Sequence, residues 1–127
     1  MSGDAKRTAL LILLAAAGSA GAAVQEIRWN DAGLHAQALD VAPGKFAEVC
    51  GPLKAGEQVA WSFEADGPMN FNIHYHEGDK VSYPARENGV SKRAGDLKVE
   101  LDHGYCWMWS NKGTQPVRLK LELRHKR

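Results

Sequence analysis

The stretch that decides the fold is VRLKLELR, residues 117–124. Every second residue in it is apolar, either Val or Leu, and the residues between are Arg, Lys or Glu. Side chains point alternately to the two faces of a β-strand, so this pattern predicts a strand with one dry face and one wet face. Because a dry face has to be buried against another layer, the stretch predicts a layered all-β domain.

Alternation of the same kind recurs along most of the chain, and helical periodicity is scarce. Glycine, proline, asparagine and aspartate mark turns between the alternating stretches. Short strands at this spacing predict an all-β, antiparallel β-sandwich of the jelly-roll type. The predicted strands are residues 25–29, 33–39, 45–50, 59–65, 71–75, 97–101, 105–110 and 117–124.

Two irregular stretches interrupt this pattern. Residues 65–68, ADGP, carry a turn signal. Residues 77–94 contain many charged side chains and have no period, so we predict a loop there. Loops of this length often carry function.

The N-terminus has the features of a secretory signal peptide. Lys6 and Arg7 precede an apolar run over residues 9–17, and the small residues that follow include the pair Ala20-x-Ala22. The apolar run is too short to cross a bilayer, so we predict a cleaved signal peptide, residues 1–23. The domain, residues 24–127, would be periplasmic or secreted, without stable membrane insertion.

The charge of the predicted domain argues against a nucleic-acid partner. Of the 16 Lys and Arg residues only Lys6 and Arg7 lie in the predicted signal peptide, as does Asp4 among the 15 Asp and Glu residues. The domain therefore has no formal net charge, whereas a protein that binds nucleic acid needs a basic excess.

Cys50 and Cys106 are the two cysteines of the chain. In an exported protein an even number of cysteines indicates a disulfide, which here would close a long loop. The alternative is a pair of free thiols that serve as metal ligands or redox groups.

The order of several residues is similar to that of a known family. Cys50 precedes a turn and the strand 59–65, and a second cysteine stands in HGYCWMWSN, residues 103–111. This order resembles the GOLD domain, a β-sandwich found in cargo receptors of the early secretory pathway. That family has an early cysteine, a G-x-v-x-F strand and a late segment of the type G-Y-x-x-C-F-x-N, which Tyr105, Cys106 and Asn111 match loosely.

The resemblance spans residues 45–124. It implies a GOLD-like β-sandwich, pairing of Cys50 with Cys106, and a tendency to bind a protein or a small ligand. The chain shows neither the C-terminal coiled coil nor the transmembrane helix of those receptors, so their trafficking role is not implied. A fold alone does not supply a function.

FNIHYHEG, residues 71–78, holds the candidate binding residues. At strand period, Asn72, His74 and His76 project from one face. Histidines at i and i+2 can supply half of a copper or zinc site, and a thioether ligand would favour copper. The alternative is a pair of polar residues on the wet face of a sheet. Further ligands would come from His103, Met108, Met69, Glu77 or Asp79.

The aromatic residues Tyr105, Trp107 and Trp109 share one strand face, with Cys106 and Met108 on the other. If the aromatic residues form the core, the disulfide lies on the outer face and holds a neighbouring strand. If the cysteine faces inward, the three rings form an exposed stripe that could bind a partner or a sugar ring.

We predict from these features a non-enzymatic binding module, since no nucleophile motif and no phosphate-binding glycine loop is present. Its protein partner or small ligand would contact the face of His74 and His76 and the adjoining residues Tyr83 and Arg86. The arginine offers a two-pronged contact to a carboxylate. The alternative is a periplasmic copper or zinc protein that uses His74, His76, His103 and Met108 as ligands.

Overall fold

Seven β-strands form the part of the chain that the computed structural model describes, residues 23–126. Residues 1–22, and with them most of the predicted signal peptide, lie outside the described residues. Within the described part, no helix has the length and apolar character needed to cross a membrane. The strands are β1 (Ala23–Glu26), β2 (Leu34–Val41), β3 (Phe46–Leu53), β4 (Gln58–Glu77), β5 (Lys80–Lys98), β6 (His103–Ser110) and β7 (Val117–Lys126).

The strands pair into one curled sheet in the order β1-β3-β6-β4-β7-β2, and β5 pairs with β4. Every pairing is antiparallel except that of β1 with β3, which is parallel. The all-β fold is therefore confirmed, with one parallel pair that the sequence pattern did not predict.

The long strand β4 bends and so creates the two layers. Its first part, Gln58–Ala65, pairs with β7, and residues 70–74 pair with β6. Eight residues of extended strand span about 26 Å, yet the rings of Phe63 and Phe71 have centroids only 4.7 Å apart. The strand therefore bends so that the inner faces of its two halves pack against each other. Residues 65–68, predicted as a turn between two strands, are instead the bend within one strand, where the pairing with β5 shifts register.

The core lies between the two layers. All four apolar residues of the 117–124 stretch are buried. Tyr105, Trp107 and Trp109 are also buried, at 2%, 0% and 0% exposure, so the stripe of aromatic residues is core. Cys50 and Cys106 are direct register partners on β3 and β6 and form a disulfide on the outer face of the sheet. The predicted disulfide is confirmed.

The prediction of a loop at residues 77–94 is wrong, because most of this stretch belongs to β5. This strand pairs only with β4 among the described strands, and most of its side chains, on both faces, are exposed. Alternation arises only where one face is buried, so an edge strand of this kind shows no period. Pro84 is tolerated at such an edge, and Gly89, with φ of 68°, lies where the register with β4 shifts.

Candidate functional site

The five predicted partner-binding residues lie together on the outer face of the sheet, and we call this set the histidine face. Asn72, His74 and His76 lie on β4, and Tyr83 and Arg86 on the neighbouring edge strand β5. Asn72 is the direct register partner of Arg86. The rings of His74 and His76 have centroids 5.2 Å apart, and those of His74 and Tyr83 are 6.1 Å apart.

His74 is not the solvated residue that a wet face would hold, because it is only 7% exposed. Its Nδ1 lies 2.7 Å from Oδ1 of Asn72, which accepts hydrogen bonds only, so Nδ1 carries the proton and donates. Nε2 then faces Oε1 of Glu48 on β3, at 3.6 Å. Burial lowers the pKa of His74, and the nearby His76 adds to this effect, while Glu48 opposes it.

Tyr83 and Arg86 form the exposed part of the histidine face. The Tyr83 side chain is 44% exposed, and the guanidinium carbon of Arg86 lies 4.6 Å from the centre of its ring. This is a cation–π arrangement, which holds the arginine over the ring. Among the described residues, no carboxylate forms an ion pair with Arg86, so its guanidinium remains available to an acidic group.

The predicted metal ligands are not brought together. His103 follows the inward parity of Tyr105, stacks on Tyr75 with centroids 5.2 Å apart, and has Glu77 3.8 Å away. It therefore lies on the opposite side of the sheet from His74. Met108 lies on the outer face as the register partner of Asn72. The geometry thus gives no support to the predicted four-residue copper or zinc site.

Glu48, the acidic residue closest to the buried histidine, was not among the residues predicted from the sequence. Its carboxylate, a ring nitrogen of His74 and Sγ of Cys106 all lie within 4.8 Å of one another. A signal for this existed, since Glu48 stands two residues before Cys50 and so shares its strand face. Pairing of Cys50 with Cys106 then places Glu48 beside β6.

An open depression of about 460 Å³ borders the histidine face. Tyr83 and Pro84 line it from β5, and Tyr75 and Tyr105 from the neighbouring strands. Its size falls within the range of small-molecule sites. Most of its lining residues belong to the edge strand β5, and the depression is an open part of the surface rather than an enclosed cavity.

The fold is similar to that of PliG, a periplasmic inhibitor of g-type lysozyme. The Aeromonas hydrophila protein matches with a TM-score of 0.64 at 10% identity, over 84% of this chain and 98% of that chain. The Salmonella Typhimurium protein matches with a TM-score of 0.59 at 8% identity, over 81% of this chain and 97% of that chain. The pre-peptidase C-terminal domain of a Bacillus anthracis collagenase matches with a TM-score of 0.53 at 12% identity, over 87% of this chain and 100% of that chain.

No protein-family model and no curated protein matches the sequence. At identities of 8–12% the likeness is one of fold alone. These matches are periplasmic lysozyme inhibitors and a pre-peptidase C-terminal domain rather than GOLD domains, so the resemblance to the GOLD domain stays a prediction.

Proposed function

We propose that the chain is an exported, non-enzymatic binding module that holds a protein partner, of the lysozyme class, at its histidine face. The observation that carries the proposal is the exposed Tyr83 ring with Arg86 held over it. Tyrosine and arginine are the residue types that, with tryptophan, dominate the binding energy of protein interfaces.

The backbone that carries these two residues supports the proposal. Tyr83 and Arg86 belong to a strand that pairs with β4 on both sides of them, through Ser82 with Tyr75 and Glu87 with Phe71. A side chain on a paired strand loses less conformational freedom on binding than one on a mobile loop. The backbone of Tyr83 and Arg86 is therefore ordered before a partner binds.

An extracytoplasmic location agrees with the disulfide and with the predicted signal peptide. Disulfides persist in the periplasm and outside the cell, and rarely in the reducing cytosol. The solved proteins of similar fold include periplasmic inhibitors of g-type lysozyme. Their fold supports the choice of lysozymes as the first partners to test, and the residues that would make the contact are those of this chain.

A binding role also agrees with the chemistry of the site better than an enzymatic one. His74 is the one histidine of the histidine face that is buried, and its Nε2 is turned toward Glu48, away from an incoming substrate. Cys106 is bonded in the disulfide and offers no thiolate.

The test is binding of the oxidised domain, residues 24–127, to purified g-type, c-type and i-type lysozymes. Binding would be followed by surface plasmon resonance, and inhibition by the lysis rate of bacterial cell walls. Tyr83→Ala and Arg86→Ala should each weaken the affinity by roughly 30-fold, which corresponds to about 2 kcal/mol at a central interface residue.

Two matched controls lie outside the histidine face. Leu101→Ala removes an apolar side chain of similar exposure, 41% against 44% for Tyr83. Arg124→Ala removes an exposed arginine from β7. Both should leave the affinity within about twofold, as expected of surface substitutions. Failure of all three lysozyme classes to bind would refute the lysozyme partner, and equal losses in controls and test variants would refute the site.

A further inference from the structure

We propose that reduction of the Cys50–Cys106 disulfide turns the outer face of the sheet into a zinc site, with Cys50, Cys106, His74 and Glu48 as the four ligands. The inference does not depend on the proposed partner. It rests on the positions of four side chains that come from three adjacent strands.

The strand register places these side chains in contact. Cys106 of β6 is the direct partner of Cys50 on one side and of His74 on the other, so the three stand in one row across the sheet. Glu48 lies on the same face of β3 as Cys50. Its Oε1 is 3.6 Å from Nε2 of His74 and 3.8 Å from Sγ of Cys50.

These two separations match the edges of a zinc tetrahedron, and the ligand atoms of Glu48, His74 and Cys106 all lie within 4.8 Å of one another. Zinc bonds of about 2.0–2.3 Å to nitrogen, oxygen and sulfur place neighbouring ligand atoms about 3.3–3.8 Å apart. The two sulfur atoms are bonded at about 2 Å in a disulfide. To reach the length of such an edge, they would have to move apart by a further distance of less than about 2 Å. Side-chain rotation can supply this movement while the strands remain paired.

The orientation of His74 is that of a metal ligand. Nδ1 donates to Oδ1 of Asn72, which leaves the lone pair of Nε2 directed at the Glu48 carboxylate. Two electron-pair donors that face each other at this distance repel unless a proton or a cation lies between them. Zinc-bound histidines are held in the same way, by a hydrogen bond from the second ring nitrogen to an oxygen.

The disulfide can be reached from solvent. A groove of about 480 Å³ is lined by both cysteines together with Ile27, Gly51 and Pro52. Gly104 stands two residues before Cys106 on the same strand face and places no side chain beside it. A small dithiol, or the exposed cysteine of a dithiol reductant protein, therefore has a path to the sulfur atoms.

The redox step balances with a dithiol as the reductant. One thiolate of the dithiol attacks a cysteine sulfur, and the resulting mixed disulfide is resolved by the second thiol. Two electrons and two protons pass to Cys50 and Cys106, and the reductant leaves as a disulfide. Zn²⁺ then binds both sulfurs as thiolates and displaces their two protons to solvent. In the oxidised protein only His74 and Glu48 remain as ligands, which is too few for a stable site.

The test is a titration of the oxidised and reduced domain with Co²⁺ and then Zn²⁺, under argon with a phosphine reductant. The reduced domain should bind one Co²⁺ with a thiolate-to-cobalt charge-transfer band and tetrahedral bands in the visible, both removed by Zn²⁺. The oxidised domain should show neither band. Circular dichroism of the reduced domain should retain the spectrum of the folded protein.

Variants separate a four-ligand site from binding by the thiols alone. His74→Ala and Glu48→Gln should weaken zinc binding, and Asn72→Leu should weaken it by about 10–100-fold, as for other partners of metal-bound histidines. The matched controls His103→Ala and Glu122→Gln should leave it unchanged. Unfolding of the reduced domain, equal binding by the oxidised domain, or full zinc affinity in His74→Ala would each overturn the proposal.

Discussion

Removal of the disulfide should destabilise the domain by about 4 kcal/mol. The bridge joins residues 56 positions apart. A cross-link that closes a loop of this size lowers the conformational entropy of the unfolded chain by about 14 cal/mol/K, which corresponds to about 4 kcal/mol at 25 °C. Because the two cysteines are register partners on paired strands, the backbone of β3 and β6 remains hydrogen-bonded without the bridge. We therefore expect the Cys50→Ala/Cys106→Ala double variant to fold with reduced stability.

Urea denaturation followed by tryptophan fluorescence measures the effect. Trp107 and Trp109 are fully buried and report on loss of the core. With a slope of about 2 kcal/mol per molar urea, the midpoint should fall by about 2 M. Wild type reduced in a metal-free buffer is the control, and it should unfold at the midpoint of the double variant. A decrease of the midpoint by less than about 0.5 M, which corresponds to about 1 kcal/mol, would refute the reasoning from loop entropy.

Three further substitutions test the packing. A Cβ at Gly95 would approach Cζ2 of Trp61 to 2.7 Å, so Gly95→Ala should displace this ring, cost about 1–3 kcal/mol and shift the tryptophan emission to the red. The amide of buried Asn111 makes three hydrogen bonds to the backbone, so Asn111→Ala should lower the free energy of unfolding by roughly 2–4 kcal/mol. Burial raises the pKa of Tyr105 above 10.0, and in its neutral form the hydroxyl donates a hydrogen bond to the Leu101 carbonyl. Its contribution to stability is present below the unfolded pKa and is lost as pH rises from there through the folded pKa. Tyr105→Phe should remove this alkaline loss, measured as the midpoint of unfolding against pH.

The strands that the sequence predicted well are those with one buried face. The 117–124 stretch alternates because β7 is covered on its inner side, and residues 105–109 alternate for the same reason. Residues 77–94 were missed because β5 has almost no covered face and so carries no alternation. The bend at residues 65–68 looks the same in sequence as a turn between two strands. Only the contacts between the two halves of β4 distinguish them.

The candidate site was predictable to the same extent. Strand parity correctly placed His74 and His76 on one face, and placed the aromatic residues of β6 on the other side of that strand from Cys106. Parity does not reveal which strands are neighbours, so neither the burial of His74 nor its contact with Glu48 could be derived. For the same reason, the sequence did not show that His103 packs against Tyr75 on the inner side of the sheet.

The central claim is that the histidine face holds a protein partner, and nuclear magnetic resonance tests it most directly. The ¹⁵N-labelled oxidised domain would be titrated with unlabelled g-type lysozyme, and the change in each backbone amide signal recorded. We expect the largest changes at residues 72–76 of β4 and residues 82–87 of β5. Changes confined to the outer face of β7, or no change at a lysozyme concentration well above micromolar, would contradict the claim.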